Sequence, residues 1–309
     1  MIGGEGGWDY LTVDPEARRV YISHGTHTVV FDLNQNKIIG DISDTKGVHG
    51  IAIATDLGRG FTSNGQANTV TVFDLGTLKT ISTINVPGQN PDDILYDPAT
   101  KRVFTFNGRS HDATAFDAAT GQLVGTVQLP GKLETAVLDG KGNIFVNVED
   151  KNSLVELDSQ TLAVKHTYSL APCEAPTGLA MDTTHRRLFV GCGDNKMLAV
   201  VDADTGKVIA TPPIGEHTDA EDFDSANGVI FASCRDGVLN IIHEDSPDKY
   251  TIVANINTEP GARTSALDPT THHVFVVTSD FLTPEPTKEN PKPRVKSVPG
   301  TFRILELGE

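Results

Sequence analysis

The sequence predicts an all-β fold, a seven-bladed β-propeller of four-stranded antiparallel blades, in which blade 7 either lacks its fourth strand or takes it from an upstream segment. Three observations carry that expectation. Similar runs return at a period of about 40 residues, the spacing of propeller blades. Each period holds up to four short runs of β-branched and aromatic residues, broken by Gly, Asp, Asn and Pro. No segment sustains the periodicity of an amphipathic helix.

The units follow in order. Blade 1 reads "WDYLTVDP", "RRVYISH", "TVVFDL" and "KIIGDI"; blade 2 reads "HGIAIAT", "GRGFTSN", "VTVFDL" and "KTISTINV". Blade 3 is "DDILYDP", "KRVFTFN", "ATAFDA" and "QLVGTVQL"; blade 4 is "ETAVLDG", "GNIFVNV", "LVELD" and "AVKHTYSL". Blade 5 is "TGLAMDT", "RRLFVGC", "LAVVDAD" and "KVIATPPI"; blade 6 is "AEDFDS", "GVIFASC", "LNIIHED" and "YTIVANI". Blade 7 has "RTSALDP", "HHVFVVT" and "FRILEL". No linker interrupts the series, so residues 1–309 are expected to form one domain, with a Pro-rich insertion in blade 7 at about 280–300.

Composition narrows the function classes. The formal charge is -16, from 41 acids against 25 bases. Such a field repels phosphate backbones and argues against nucleic acid as a partner. No apolar run reaches the roughly 18 residues of a membrane-spanning helix. There is no CxxC, no GxSxG, no HExxH and no Walker loop. The "DADTG" turn has calcium-loop residues without the EF-hand spacing and reads as a hairpin turn.

Alignment of the first runs gives one equivalent position per blade: Asp9, His49, Asp92, Glu134, Thr177, Asp219 and Arg263. First strands line a propeller's channel, so these seven are expected to ring its mouth and to bind a ligand there. Blade 6 stands out, since His217, Asp219 and Glu221 alternate in "HTDAEDFD", which would place them on one strand face. Glu221 falls where other blades carry mostly apolar residues, so it must be paired, metal-bound or protonated. Second strands finish at the same mouth, and His24, with His27 just beyond, joins the candidates there.

Carboxylates and imidazoles in this number suit a divalent ion, Ca²⁺, Mg²⁺, Mn²⁺ or Zn²⁺. The candidate ligands are His24, His49, Asp92, His217, Asp219 and Glu221. The plainer reading is a structural ion-pair network, with Arg263 pairing to Glu221 or Asp219. Cys173 and Cys192 fall at one face of blade 5, where a disulfide suits an oxidising compartment. The insertion "DFLTPEPTKENPKPRVKSVPG" is stiffened by Pro284, Pro286, Pro291, Pro293 and Pro299. It carries Lys288, Lys292, Arg294 and Lys296, and leaves from the ring face, as a lid over the mouth would.

The motifs "RVYISH" and "RVFTFN", with the turns "FDAATGQLVGTV" and "VDADTGKVIAT", resemble the YVTN-type β-propeller repeat family of YncE-like seven-bladed propellers. That resemblance covers nearly the whole chain. It implies a periplasmic or secreted protein whose leader is absent from the sequence given. The function expected first is a binding or scaffold propeller, taking a small ligand, metal ion or protein partner at the channel mouth. The second is a metal-dependent, lactonase-like hydrolase at the same mouth, with Glu134 or Glu221 as acid–base candidates and Arg263 steadying an oxyanion.

Overall fold

A computed structural model describes residues 1–4, 6–283 and 295–308. Six four-stranded antiparallel sheets and one three-stranded sheet follow one another along the chain. Blade 1 comprises Leu11–Asp14, Arg19–His24, His27–Asp32 and Lys37–Ile42, paired in chain order. Blades 2 to 6 repeat this meander, with first strands Val48–Ala54, Pro91–Asp97, Leu133–Leu138, Pro176–Asp182 and Thr218–Asp224. Blade 7 has three strands, Ser265–Asp268, His273–Thr278 and Arg303–Leu307. First strands of successive blades touch, including those of blades 7 and 1, so the seven sheets close a ring.

The core lies between blades rather than inside them. Phe104 and Phe106 of blade 3 pack on Val146 and Val148 of blade 4, and Phe145 and Leu154 of blade 4 on Leu188 and Val190 of blade 5. Each such phenylalanine, fully withdrawn from water, contributes roughly 2–3 kcal/mol. Between blades 7 and 1, Trp8, Leu11 and Ile22 meet Phe275, Val277 and Phe302. Trp8 lies 5.1 Å from the Phe302 ring, and the Ile2 and Gly3 amides donate to the Phe302 carbonyl. Ring closure is therefore made by side chains and these few backbone bonds; blade 7 has no fourth strand among the described residues.

The "DADTG"-type segments are turns held by their own aspartates. Asp74, Asp117, Asp158 and Asp202 each accept from the amide and hydroxyl of the threonine three residues on. This is local side-chain-to-backbone bonding, as Asp favours in turns. Among the described residues no helix is long and apolar enough to cross a membrane.

Candidate functional site

In blades 2 to 6 the first strand slips register against the second at the ring position. The shifts lie between Val48 and Ile51, Pro91 and Ile94, Leu133 and Ala136, Pro176 and Leu179, and Thr218 and Ala220. His49, Asp92, Glu134, Thr177 and Asp219 are thus all bulged residues. A β-bulge re-aims side chains and leaves backbone groups unpaired. Polar side chains at the penultimate position of second strands satisfy several of those groups. Ser63 accepts from the Gly50 amide and donates to the Asp92 carbonyl of the next blade. Asn147 donates to the carbonyls of Thr177 and Gly178 at 2.9 and 3.0 Å. The ring is clipped from blade to blade through its own irregularities.

The side chains form a chain of alternating charge over five successive blades. Asp219 of blade 6 accepts from Arg263 Nε of blade 7. Arg263 reaches on to Asp9 of blade 1 at 3.3 Å. Asp9 Oδ2 accepts from His49 Nδ1 of blade 2 at 2.6 Å, and Asp92 Oδ1 of blade 3 stands 3.3 Å from the same nitrogen. Gly65 leaves the room this needs, since a Cβ there would sit 2.6 Å from His49 Nε2. Arg263 thus pairs with Asp219, as the ion-pair reading expected, and with Asp9, while Asp92 is balanced by His49.

Blades 4 and 5 complete the circle differently. Glu134 Oε1 lies 2.7 Å from Lys132 Nζ, which also holds Glu149. Thr177 carries no charge and donates to the Thr218 carbonyl at 2.7 Å.

These contacts set the protonation states. Burial opposes charge on His49, but the hydrogen bond to Asp9 and the charges of Asp92 and Asp9 raise its pKa to about 9. Burial alone would raise Asp9 too; His49 and Arg263 hold it below the ordinary carboxylate value. Burial lifts Asp92 to about 7, partly relieved by His49. Burial, with Asp92 and Asp219 nearby, pushes Glu134 well above its ordinary value.

Two contributors escaped the sequence reading. Tyr10 reaches from blade 1 to Thr135 of blade 4, with its hydroxyl 3.4 Å from Thr135 Oγ1. Burial with the charges of Asp92 and Glu134 drives its phenol well above the ordinary pKa. The signal was present: Tyr10 stands where other blades carry Gly50, Asp93, Thr135, Gly178, Ala220 and Thr264. Lys132 was legible as a lysine two residues before an acidic ring position. Asp93 has a role of its own, since its carboxylate accepts from the Ala136 amide of blade 4 at 2.7 Å.

The structure does not bring all six metal candidates together. His49 and Asp92, with Asp9, place ligand atoms within 4.8 Å of one another. His24 is buried at the end of its strand, stacked 4.3 Å from Phe302 and 3.3 Å from His27. Burial, with His27 beside it, lowers its pKa to about 4. His217 precedes its strand with φ 50 and is exposed. The expected alternation of His217, Asp219 and Glu221 fails because the bulge between Thr218 and Ala220 breaks it. Glu221 turns between blades 5 and 6, where a Cβ on Gly178 or Gly191 would collide with it. It accepts from Thr218 Oγ1 at 2.6 Å, its Oε2 has no partner, and burial raises its pKa to about 8. A second group, Asp182, His185 and Glu244, lies at the opposite ends of the first strands.

Residues 66–283 match a family model described as outer membrane protein assembly factor BamB. The chain belongs to this family. No curated protein matches the chain in sequence. Among solved structures, hydrazine synthase of Kuenenia stuttgartiensis superposes with a TM-score of 0.76 at 13% identity, covering 95% of this chain and 96% of that one. A chain of the mitotic checkpoint complex superposes at 0.78 and 14% identity, covering 96% and 90%. Likenesses this remote establish the propeller fold alone.

In this BamB-family chain Cys173 and Cys192 are joined, with their Cα atoms 5.3 Å apart. Cys234 is buried and free, and burial pushes its thiol up to about 12. Most of the expected lid, with Pro284, Pro286, Lys288, Pro291, Lys292, Pro293 and Arg294, lies outside the described residues. Its two ends form a short ribbon, Phe281–Leu282 against Lys296–Ser297.

Proposed function

We propose that the protein is a non-catalytic propeller scaffold working outside the cytoplasm, and that it takes its ligand or partner on the ring face. One observation carries the reading. Five ring residues are bulged toward one mouth, and the charges of Asp219, Arg263, Asp9, His49 and Asp92 are spent on each other, and that of Glu134 on Lys132, rather than left free for chemistry. Two cavities, of about 490 and 200 Å³, share Arg235 and Arg263 at that mouth. The family's assembly-factor description fits a scaffold. The Cys173–Cys192 bond fits a periplasmic or secreted location, and the YncE-like resemblance points the same way. The chain is read as one propeller domain.

The test is site-specific photo-crosslinking in cells that make the protein. A photoreactive residue at Asp194 or His217, on the ring face, should capture a discrete partner or ligand adduct. The same residue at Lys141, on the opposite face, should not. Capture only from Lys141 overturns the reading.

A metal-dependent hydrolase is the second reading, favoured by the grouping of Asp9, His49 and Asp92. A divalent ion there would have to displace the His49 proton, polarise a carbonyl and activate water. Glu134 would be the base and Arg263 the oxyanion partner. Metal analysis of protein purified without chelator decides it: a stoichiometric ion lost in Asp92→Ala supports it, and metal-free protein removes it.

A further inference from the structure

The larger cavity on the ring face has an unusual lining for this molecule. The chain holds 41 acids, yet among the described residues no Asp or Glu borders this space, while Arg235, Arg263 and Lys296 do. Arg263 is committed to Asp219 and Asp9. Arg235 and Lys296 are exposed, and neither has an ion-pair partner among the described residues. Arg235 is presented from a pinned turn. Its amide donates to the Glu216 carbonyl at 3.0 Å, and its carbonyl accepts from the Gly261 amide at 2.8 Å.

The rest of the lining is partly apolar. Phe281 is 39% exposed and Val295 50% exposed. Phe281 packs 5.9 Å from Trp8, which also lines the cavity. Gly261 makes this possible: at φ +87 it carries no Cβ, which would lie 2.4 Å from the Phe281 ring. The volume, about 490 Å³, lies in the range of small-molecule sites.

We infer that this cavity is a binding site for a small carboxylate bearing an aromatic or branched apolar group. The carboxylate would lie between Arg235 and Lys296, and the apolar group against Phe281, Val295 and Trp8. Both parts of the lining are needed for the argument. Cations without acids select an anion, and an exposed aromatic wall selects an apolar body over a bare inorganic ion. The surrounding negative field would repel polyanions, leaving a single negative charge as the best fit. The inference deepens the scaffold reading by naming a ligand class for its ring face, and rests on that reading.

The test uses the full chain and three probes of related size or charge: phenylacetate, phenethylamine and inorganic phosphate. Binding is followed by calorimetry or ligand-observed NMR at low salt. Phenylacetate should saturate one site, phenethylamine should show no saturation, and phosphate should bind at least about tenfold more weakly than phenylacetate. Arg235→Gln and Lys296→Gln should each weaken phenylacetate about tenfold. Both residues are exposed, and matching thermal melts establish that the variants fold. Absence of saturable phenylacetate binding, equal binding of phenethylamine or phosphate, or unchanged affinity in the double variant overturns the inference. If cross-links at Asp194 persist while phenylacetate fails, the ligand class alone is wrong. If cross-links come only from Lys141, the ring-face reading itself falls.

Discussion

The His49 imidazole joins three blades, with Nδ1 lying 2.6 Å from Asp9 Oδ2 and 3.3 Å from Asp92 Oδ1. A side chain that sequence reading offered as a metal ligand already serves as the cation between two carboxylates. Its pKa of about 9 follows from that placement, despite burial. Because this lies above the ordinary 6.5, the resulting stabilisation is complete below about pH 6.5 and is lost as the pH rises through about 9. His49→Phe should cost about 2 kcal/mol at pH 6, measured by urea unfolding, and much less at pH 10. NMR of the imidazole should show its titration near pH 9; an ordinary midpoint would contradict the network.

Glu221 should give a second pH signature. Its pKa, raised by burial to about 8 from 4.5, favours the protonated native state. That stability is fully present below about pH 4.5 and lost as the pH climbs through about 8. Glu221→Gln keeps the shape and removes the ionisation. Between pH 5 and pH 8.5 the wild type should lose about 4 kcal/mol more than the variant. Asp92 and Asp93 titrate in the same direction in both proteins and cancel in the difference. Parallel profiles would show that Glu221 is not held neutral.

The disulfide closes a loop with a sequence separation of 19. Cys173→Ser should destabilise the protein by about 3 kcal/mol. Mass spectrometry of the unreduced protein should show two hydrogens fewer than the reduced form, one bond's worth. Cys234 should resist thiol reagents until the protein unfolds, because it is buried and its thiol is pushed up to about 12.

The aromatic contact of Trp8 with Phe302 is one of those that close the ring between blades 7 and 1. Phe302→Ala should cost about 3–5 kcal/mol, the usual range for a buried phenylalanine. Hydrogen exchange should then accelerate first in blades 1 and 7. Uniform acceleration would mean that closure is shared among all interfaces.

Much of the fold was legible because blade repetition is written in the chain. Each run ends at a turn whose aspartate, glycine or proline is local chemistry, and the third runs carry the Asp that caps its own turn. The ring register was legible for the same reason, and so was the Cys173–Cys192 pair, set by blade topology. The directions of His24, His217 and Glu221 were not legible. For His217 and Glu221, alternation along a strand assumes regular pairing, and a bulge at the ring position inverts it locally; His24 is turned onto Phe302 of blade 7, a contact between blades.

By itself the sequence determined the blade order and the equivalence of the seven ring positions from blade to blade, because each follows from period and local turn chemistry. Only the tertiary structure decided which charges face each other. Asp92 meets His49 rather than Arg263, Tyr10 spans to Thr135, and Glu221 slips between Gly178 and Gly191. The physical reason is that pair energies depend on distance and burial across blade boundaries. Those are fixed only when all seven sheets close on one another.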